Sequence, residues 1–416
     1  MSQATRILLA LVAGLFAGVA LAAFAPGAVD PTASVAQPIG TAWLNALQMT
    51  IVPLVVALLV TGVAATAEAA KAGRLAGRAI ALYVVLLFVS AAVAAVLTPL
   101  LLELWPLPAT SAASLRRALT GAEAIPPVPP LAEFLAGIVP TNVVRAAADN
   151  AFLSLIIFTL IFAFAIVRID TEGRVLLTRV FTAIRDAMLV VIGWILWIAP
   201  VGVFALALVV GARAGAGAFG ALLHYILIVS AVGVVVSLLA YPLAVIGARV
   251  GLGRYVRAAL PSQAVAVSTQ SSLASLPAML AGAQSLGVPV ATAGVTLPLA
   301  VAIFRATGPA MNFAVAIYVA RWFGVPLDAA ALMLGVVVAT LTSLGSVSLP
   351  GTVSFVAAIA PVAATIGAPV APLGLLVAVE TIPDIIRTLG NVMMDLATTA
   401  LLARWDGDAE EAASGE

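Results

Sequence analysis

The chain has 416 residues, of which 63% are hydrophobic and 9% charged, and its mean hydropathy is +1.21. That composition excludes a soluble domain of this length and predicts an all-α polytopic membrane protein. A formal charge of +1 gives no electrostatic footprint for nucleic acid, the lack of cysteine excludes disulfides and thiolate metal sites, and the single histidine, His224, cannot build a zinc site alone.

The first apolar run, near 6–25, follows Arg6 and resembles a signal peptide. It lacks a convincing cleavage site and is long enough to span, which predicts the first transmembrane helix. Further runs of spanning length lie near 42–66, 78–102, 151–168, 180–211 and 219–248. Basic residues follow the second run (Lys71, Arg74, Arg78), the fourth (Arg168, Arg174, Arg179) and the sixth (Arg249, Arg254, Arg257). The loop after the first run has none, and the loop after the fifth has only Arg213. This asymmetry predicts a cytoplasmic N-terminus in a cell inner membrane, with the third loop (Arg116, Arg117, Arg145) an exception whose length lowers its weight. Ile125-Pro-Pro-Val-Pro-Pro130 reads as an extended external linker, and Gly211-Ala-Arg-Ala-Gly-Ala-Gly217 as a flexible external loop. His224, mid-helix between Leu223 and Tyr225, is a packing or interface residue, with a proton relay as the alternative. Trp194 and Trp197 read as interfacial anchors.

Beyond residue 258 the apolar segments shorten and are separated by small polar clusters: Ser268–Pro277, Ala306–Pro309 and Gly345–Thr352. Short hydrophobic halves meeting at a polar tip predict re-entrant hairpins, which survive at membrane depth only where they are buried in protein or line a wet cavity. Two hairpins in corresponding places, each followed by a hydrophobic span, predict an inverted repeat with the site between them. The tip within Ser343–Val353, with Gly345, Pro350 and Gly351, has the flexible and stiff elements of a gate.

The last apolar segment, from about Leu373 to Leu402, carries Glu380, Asp384, Arg387, Asn391 and Asp395. On a helix these fall within roughly 80° of one another and form a polar stripe about 22 Å long. Ionisable groups at this depth are costly unless paired or facing a cavity, so five on one face point to a polar substrate. The acidic tail Asp406–Glu416 reads as disordered and cytoplasmic.

With these segments in place the sequence resembles the glutamate-transporter-homologue family, the dicarboxylate/amino acid:cation symporters, over nearly its whole length. Trp43–Leu54 resembles the family's second-helix signature, Ile138–Asn150 the entry to its fourth helix, and Ile198–Ala205 its fifth-helix motif. Gln270-Ser-Ser-Leu-Ala-Ser-Leu-Pro277 and Gly345-Ser-Val-Ser-Leu-Pro-Gly351 resemble its two hairpin tips. The resemblance implies eight transmembrane helices, two re-entrant hairpins and a homotrimer in which a transport domain moves like an elevator against a fixed scaffold. It implies scaffold helices 1–2 in 1–77, transport helix 3 in 78–104, and an external loop with scaffold helices 4–5 in 105–211. Transport helix 6 then falls in 212–250, hairpin 1 in 251–289, a broken helix 7 in 290–325, hairpin 2 in 326–371, helix 8 in 372–403 and a cytoplasmic tail in 404–416.

The resemblance also implies roles. Arg387 takes the substrate side-chain carboxylate and Asp384 its ammonium. Asn391, with Ser271, Ser272 and the hairpin backbone at Ser348, Leu349, Pro350 and Gly351, holds the main-chain carboxylate. Thr388 assists, and Glu380 orients Arg387. A guanidinium suits the first task because it binds carboxylate bidentately and stays charged. The departure lies in the seventh helix, where sodium-coupled members read Asn-Met-Asp-Gly-Thr. Here the anchor Thr296-Leu-Pro-Leu-Ala300 leads into Phe304-Arg305-Ala306-Thr307-Gly308. In the third helix Tyr83 and Ser90 are the nearest polar candidates for lost sodium ligands. Asp395, the family's sodium carboxylate, is kept, with Arg305 expected as its new partner. An alternative register starting at Asn312 inserts about two helical turns and still lacks the aspartate.

The expectation is a secondary transporter for aspartate or glutamate with no cofactor and with sodium coupling reduced or lost, proton coupling or uncoupled exchange taking its place. A sodium-coupled symporter and a C4-dicarboxylate carrier are the alternatives, the latter disfavoured because Asp384 would face no ammonium. A channel would need a continuous polar path on several helices. An enzyme would need an activated nucleophile or metal cluster, and Ser271, Ser272 and Ser275 have no histidine nearby in sequence.

Overall fold

The computed structural model describes residues 3–71, 73–107, 139–149, 151–215, 217–345 and 351–414. All regular elements among them are helical. In chain order these are α1 (Gln3–Phe24), α2 (Val29–Gln48), α3 (Ile51–Lys71), α4 (Arg74–Leu104), α5 (Val143–Ala148), α6 (Phe152–Arg168), α7 (Thr171–Trp197) and α8 (Ala199–Ala214). Then follow α9 (Gly217–Leu238), α10 (Leu252–Thr269), α11 (Ser272–Ser285), α12 (Val290–Ile303), α13 (Gly308–Phe323), α14 (Ala329–Gly345), α15 (Gly351–Thr365) and α16 (Thr381–Ser414), with single short turns between some of them.

Among the described residues six segments are long and apolar enough to cross a membrane: Thr5–Phe24, Pro26–Ala67, Arg74–Leu104, Phe219–Gly247, Val290–Phe323 and Thr381–Gly407. The α7–α8 pair, bent by 55°, adds one more if taken as a single span, and Ser154–Arg168 is a shorter apolar helix. The bend falls at Ile198-Ala199-Pro200, where proline cannot continue the hydrogen-bond ladder of the preceding helix.

Three sequence expectations are corrected here. The segment before residue 42 is not a loop but α2, which continues into α3 across a break at Met49-Thr50. Pro53 lacks an N–H in the first turn of α3, and the Thr50 hydroxyl donates to the Leu47 carbonyl at 2.7 Å, so the chain re-starts there. The small-residue run at 211–217 is mostly the last turn of α8, with a turn at Gly215 (φ 65°). Its small residues serve packing: a side chain at Gly211 would strike the Leu15 carbonyl, and one at Gly18 would strike the Leu208 carbonyl, so α1 and α8 approach backbone to backbone. The tail does not begin as disordered chain; α16 continues to Ser414. Arg404 donates to the Gly247 carbonyl at 2.7 Å, and Arg78 lies 3.8 Å from Asp406, which ties the end of α16 to its neighbours. The linker at Ile125–Pro130 lies outside the described residues.

The buried apolar residues form two large clusters. One joins α1–α3 and α8 to α9, α13 and α15. The other joins α4, α10, α11 and α12 to the middle of α16. Helix α13 lies deepest, with only Arg321 exposed along it. α10 packs on α11 and α14 on α15, so each of the two polar tips joins a pair of neighbouring short helices. At the first tip Gln270 adopts a left-handed conformation (φ 52°), and the Ser271 hydroxyl caps α11 by accepting the Ala274 N–H at 3.2 Å.

Candidate functional site

The polar stripe of the last segment is buried. Glu380 and Asp395 are fully covered, and Asp384, Arg387, Thr388 and Asn391 are nearly so. The stripe does not lie on one continuous helix. A short helical turn, Leu373–Leu376, passes into a 3-10 turn at Val377–Val379, and α16 starts at Thr381. Pro383 removes the N–H that would bond back to Val379, which loosens the ladder at this point. Glu380 therefore sits on the junction, its carbonyl accepting the Asp384 N–H at 2.8 Å.

Glu380 Oε1 lies 2.7 Å from Arg387 Nη2, and Asp384 Oδ1 lies 3.9 Å from Arg387 Nη1. One guanidinium thus faces two carboxylates, with all three side chains 5% exposed or less. The Thr388 hydroxyl donates to the Asp384 carbonyl at 2.9 Å. Tyr225 on α9, also fully buried, lies beside Glu380 and Arg387.

Opposite the stripe, α12 ends at Ile303 and α13 starts at Gly308, leaving Phe304–Thr307 unwound. This break is braced from three sides. Phe304 stacks on Tyr83 of α4, with ring centroids 4.5 Å apart. Ser90 donates to the Ala306 carbonyl, and Tyr83 donates to the Thr296 carbonyl at 3.0 Å. The Thr307 N–H donates to Asn391 Oδ1 at 2.9 Å, and its hydroxyl lies 2.8 Å from both that oxygen and the Arg387 carbonyl. Binding through Oδ1 leaves the Asn391 amide nitrogen as the remaining donor. The close approach requires Gly390: a Cβ there would collide with the Ser237 hydroxyl and lie 2.5 Å from the Thr307 methyl. Gly308 lies beside Ser343 at the end of α14.

Arg305, partly buried in the break, feels the charges of Arg387, Asp384 and Asp395. The direct Arg305–Asp395 pair expected from the sequence is absent: neither carboxylate oxygen of Asp395 has a hydrogen-bond partner among the described residues. The break is anchored through Thr307 at Asn391, one turn before Asp395. Among the described residues no hydrogen bond joins Ser271 or Ser272 to the stripe; they belong to the tip of α10–α11, both of which pack on α16. Ser348, Leu349 and Pro350 lie outside the described residues, as does the side-chain environment of Gly351. No cluster of three or more histidine, aspartate or glutamate side chains able to hold a metal occurs among the described residues.

Sequence reasoning set Thr307 and Gly308 with Arg305 and Asp395 as the replacement for the ion site but did not foresee Thr307 as the clamp between the break and α16, and it missed Tyr225. A threonine in a small-residue break and a tyrosine in an apolar helix carry no distinguishing local signal. His224 is more than packing. Its Nδ1 lies 3.0 Å from the Tyr318 hydroxyl and its Nε2 2.8 Å from the Trp105 carbonyl, which ties α9 to α13 and the end of α4.

Helices alone among the described regular elements, several of membrane length, and a charged, buried stripe beside a broken helix have the features of a membrane transporter. The chain belongs to the sodium:dicarboxylate symporter family, whose model matches residues 4–405. It is 27% identical over 416 residues to the proton/glutamate-aspartate symporter of Escherichia coli strain K12, covering 97% of this chain and 93% of that protein. It is 28% identical over 418 residues to the proton/sodium-glutamate symport protein of Bacillus subtilis strain 168, covering 97% and 92%. It is 25% identical over 382 residues to the C4-dicarboxylate transport protein of Paracidovorax citrulli, covering 89% and 82%.

Proposed function

We propose that the chain carries aspartate or glutamate across the inner membrane as a secondary transporter whose sodium coupling is reduced or lost. In this reading Arg387 binds the side-chain carboxylate, Asp384 the ammonium, and Asn391 with the two hairpin tips the main-chain carboxylate. The observation that carries it is the buried grouping of Arg387 and Asp384 on one face of α16, 3.9 Å apart, a cation and an anion spaced for an acidic amino acid. Sodium independence rests on Arg305, a fixed cation in the break where sodium-coupled relatives of the resemblance carry an amide and a carboxylate. Two unit charges 4 Å apart in a protein interior interact by about 4 kcal/mol at an effective dielectric constant near 20, enough to disfavour a mobile cation beside it.

The architecture that goes with this reading has eight spans, α10–α11 and α14–α15 as re-entrant hairpins, both termini in the cytoplasm, and a homotrimer moving its transport domains as elevators. A C4-dicarboxylate carrier is the second reading, favoured by the name of the P. citrulli relative and opposed by Asp384. Uptake of radiolabelled aspartate into proteoliposomes, with succinate as competitor, tests the choice. Aspartate uptake resistant to excess succinate supports the amino-acid reading, and efficient blockade by succinate overturns it.

A further inference from the structure

The centre of the protein holds the buried Arg387 and the partly buried Arg305 against three buried carboxylates, Glu380, Asp384 and Asp395. Its formal charge is therefore −1 before any substrate arrives. An acidic amino acid brings a further −1. It also brings a third carboxylate to the Arg387 guanidinium, which already faces Glu380 at 2.7 Å and Asp384 at 3.9 Å. One guanidinium has five N–H donors in a rigid fork and can serve two carboxylates bidentately, not three. Asp384 is assigned to the ammonium, so the conflict falls between Glu380 and the substrate.

We propose that Glu380 carries the coupling proton: the substrate carboxylate takes over Arg387 while Glu380 accepts one proton from the aqueous side and becomes neutral. This rests on the acidic amino-acid reading above and names the residue that does the coupling. The charge of the centre is then the same, −1, in the empty and the loaded carrier, so the moving domain meets no extra electrostatic barrier when loaded. Net movement of one singly negative amino acid with one proton is electroneutral. Uptake should follow a pH gradient and ignore the membrane potential.

The surroundings of Glu380 fit this role. Arg387 and Asp384 face it from α16 and Tyr225 from α9. The other elements packed on the Val377–Val379 turn are α15, which has no ionisable residue, and α1, whose one charged side chain, Arg6, is exposed near its start. No other cation of the described neighbourhood competes with Arg387 for Glu380. Asp395 lies four turns along α16 and does not share this guanidinium.

The test is calorimetric titration of aspartate into the purified full chain in sodium-free choline medium, in buffers of different ionisation enthalpy and at a series of pH values. The expected result is uptake of about one proton per aspartate bound, and a Kd that weakens by about tenfold per pH unit where Glu380 changes state. Glu380→Gln should bring the proton count close to zero and flatten the pH dependence, which a merely structural role would not do. Tyr225→Phe, removing one hydroxyl beside Glu380, should move the pH of half-maximal proton uptake while keeping the limiting count. Aspartate binding to the native chain without proton uptake overturns the inference and leaves the substrate reading standing. An unchanged proton count in Glu380→Gln overturns it too, as does an unmoved midpoint in Tyr225→Phe if the glutamine variant does not fold. No aspartate binding at all would overturn the substrate reading, and this inference with it.

Discussion

Glu380 and Arg387, seven residues apart, meet at 2.7 Å with side-chain exposures of 0% and 5%. Seven residues are close to two helical turns, which puts both side chains on one face about 10 Å apart along the axis. The chain between them is regular α-helix, with the Asp384 N–H donating to the Glu380 carbonyl at 2.8 Å, so the contact is made by the long arginine side chain leaning back toward the helix N-terminus. Losing one partner of such a buried pair leaves an uncompensated charge and costs about 3–5 kcal/mol.

Arg387→Ala should abolish binding of acidic amino acids. The substrate carboxylate would lose a charge-assisted partner worth on the order of 2–5 kcal/mol, a loss of roughly thirtyfold or more in affinity. The variant also strands Glu380, so melting temperature should be measured beside aspartate binding. Near-native affinity for aspartate in a folded variant would remove Arg387 from the site.

Asp384→Asn tests the amino group. The native chain should prefer aspartate to succinate by at least about tenfold, about 1.4 kcal/mol, because only aspartate offers an ammonium to Asp384. The variant should narrow that gap in competition binding. Equal native affinities for the two ligands would transfer the protein to the dicarboxylate reading.

Gly390→Val tests the clamp between α16 and the helix break. The Cβ alone would collide with the Ser237 hydroxyl and come within 2.5 Å of the Thr307 methyl. Separating these surfaces should cost about 1–3 kcal/mol or more and break the Thr307–Asn391 bonds. A lower melting temperature with weaker aspartate binding is expected, while a neutral substitution would mean that the close approach is unimportant.

Four groups of the stripe, Asp384 to Asp395, were legible because helical periodicity puts them on one face of α16, whereas the junction that carries Glu380 was not. Several apolar spans were legible from length against bilayer thickness, but the run read at 180–211 is broken by the 55° bend between α7 and α8. Helix α2 was not legible: its polar residues between Val29 and Ile39 adopt a helix largely through packing on α8, which no local pattern announces. Arg305 was legible as a charged residue in the helix break, but the direct bond to Asp395 expected for it does not form. Where a guanidinium on an unwound segment points depends on tertiary bonds such as Thr307 to Asn391, and these have no sequence period.

In the proposed reading the chain binds acidic amino acids without sodium because Arg305 stands in the helix break. Aspartate affinity should be measured by titration from sodium-free to high-sodium medium, with choline keeping the ionic strength constant, for the native chain and for Arg305→Met. The account predicts a native affinity nearly flat in sodium, because a ligand shifts an equilibrium only through differential binding and the fixed cation leaves sodium little to bind. It predicts a gain of sodium sensitivity in Arg305→Met, where Asp395 loses its nearby positive charge. A steep rise of native affinity with sodium would contradict the account and make the protein a sodium-coupled symporter.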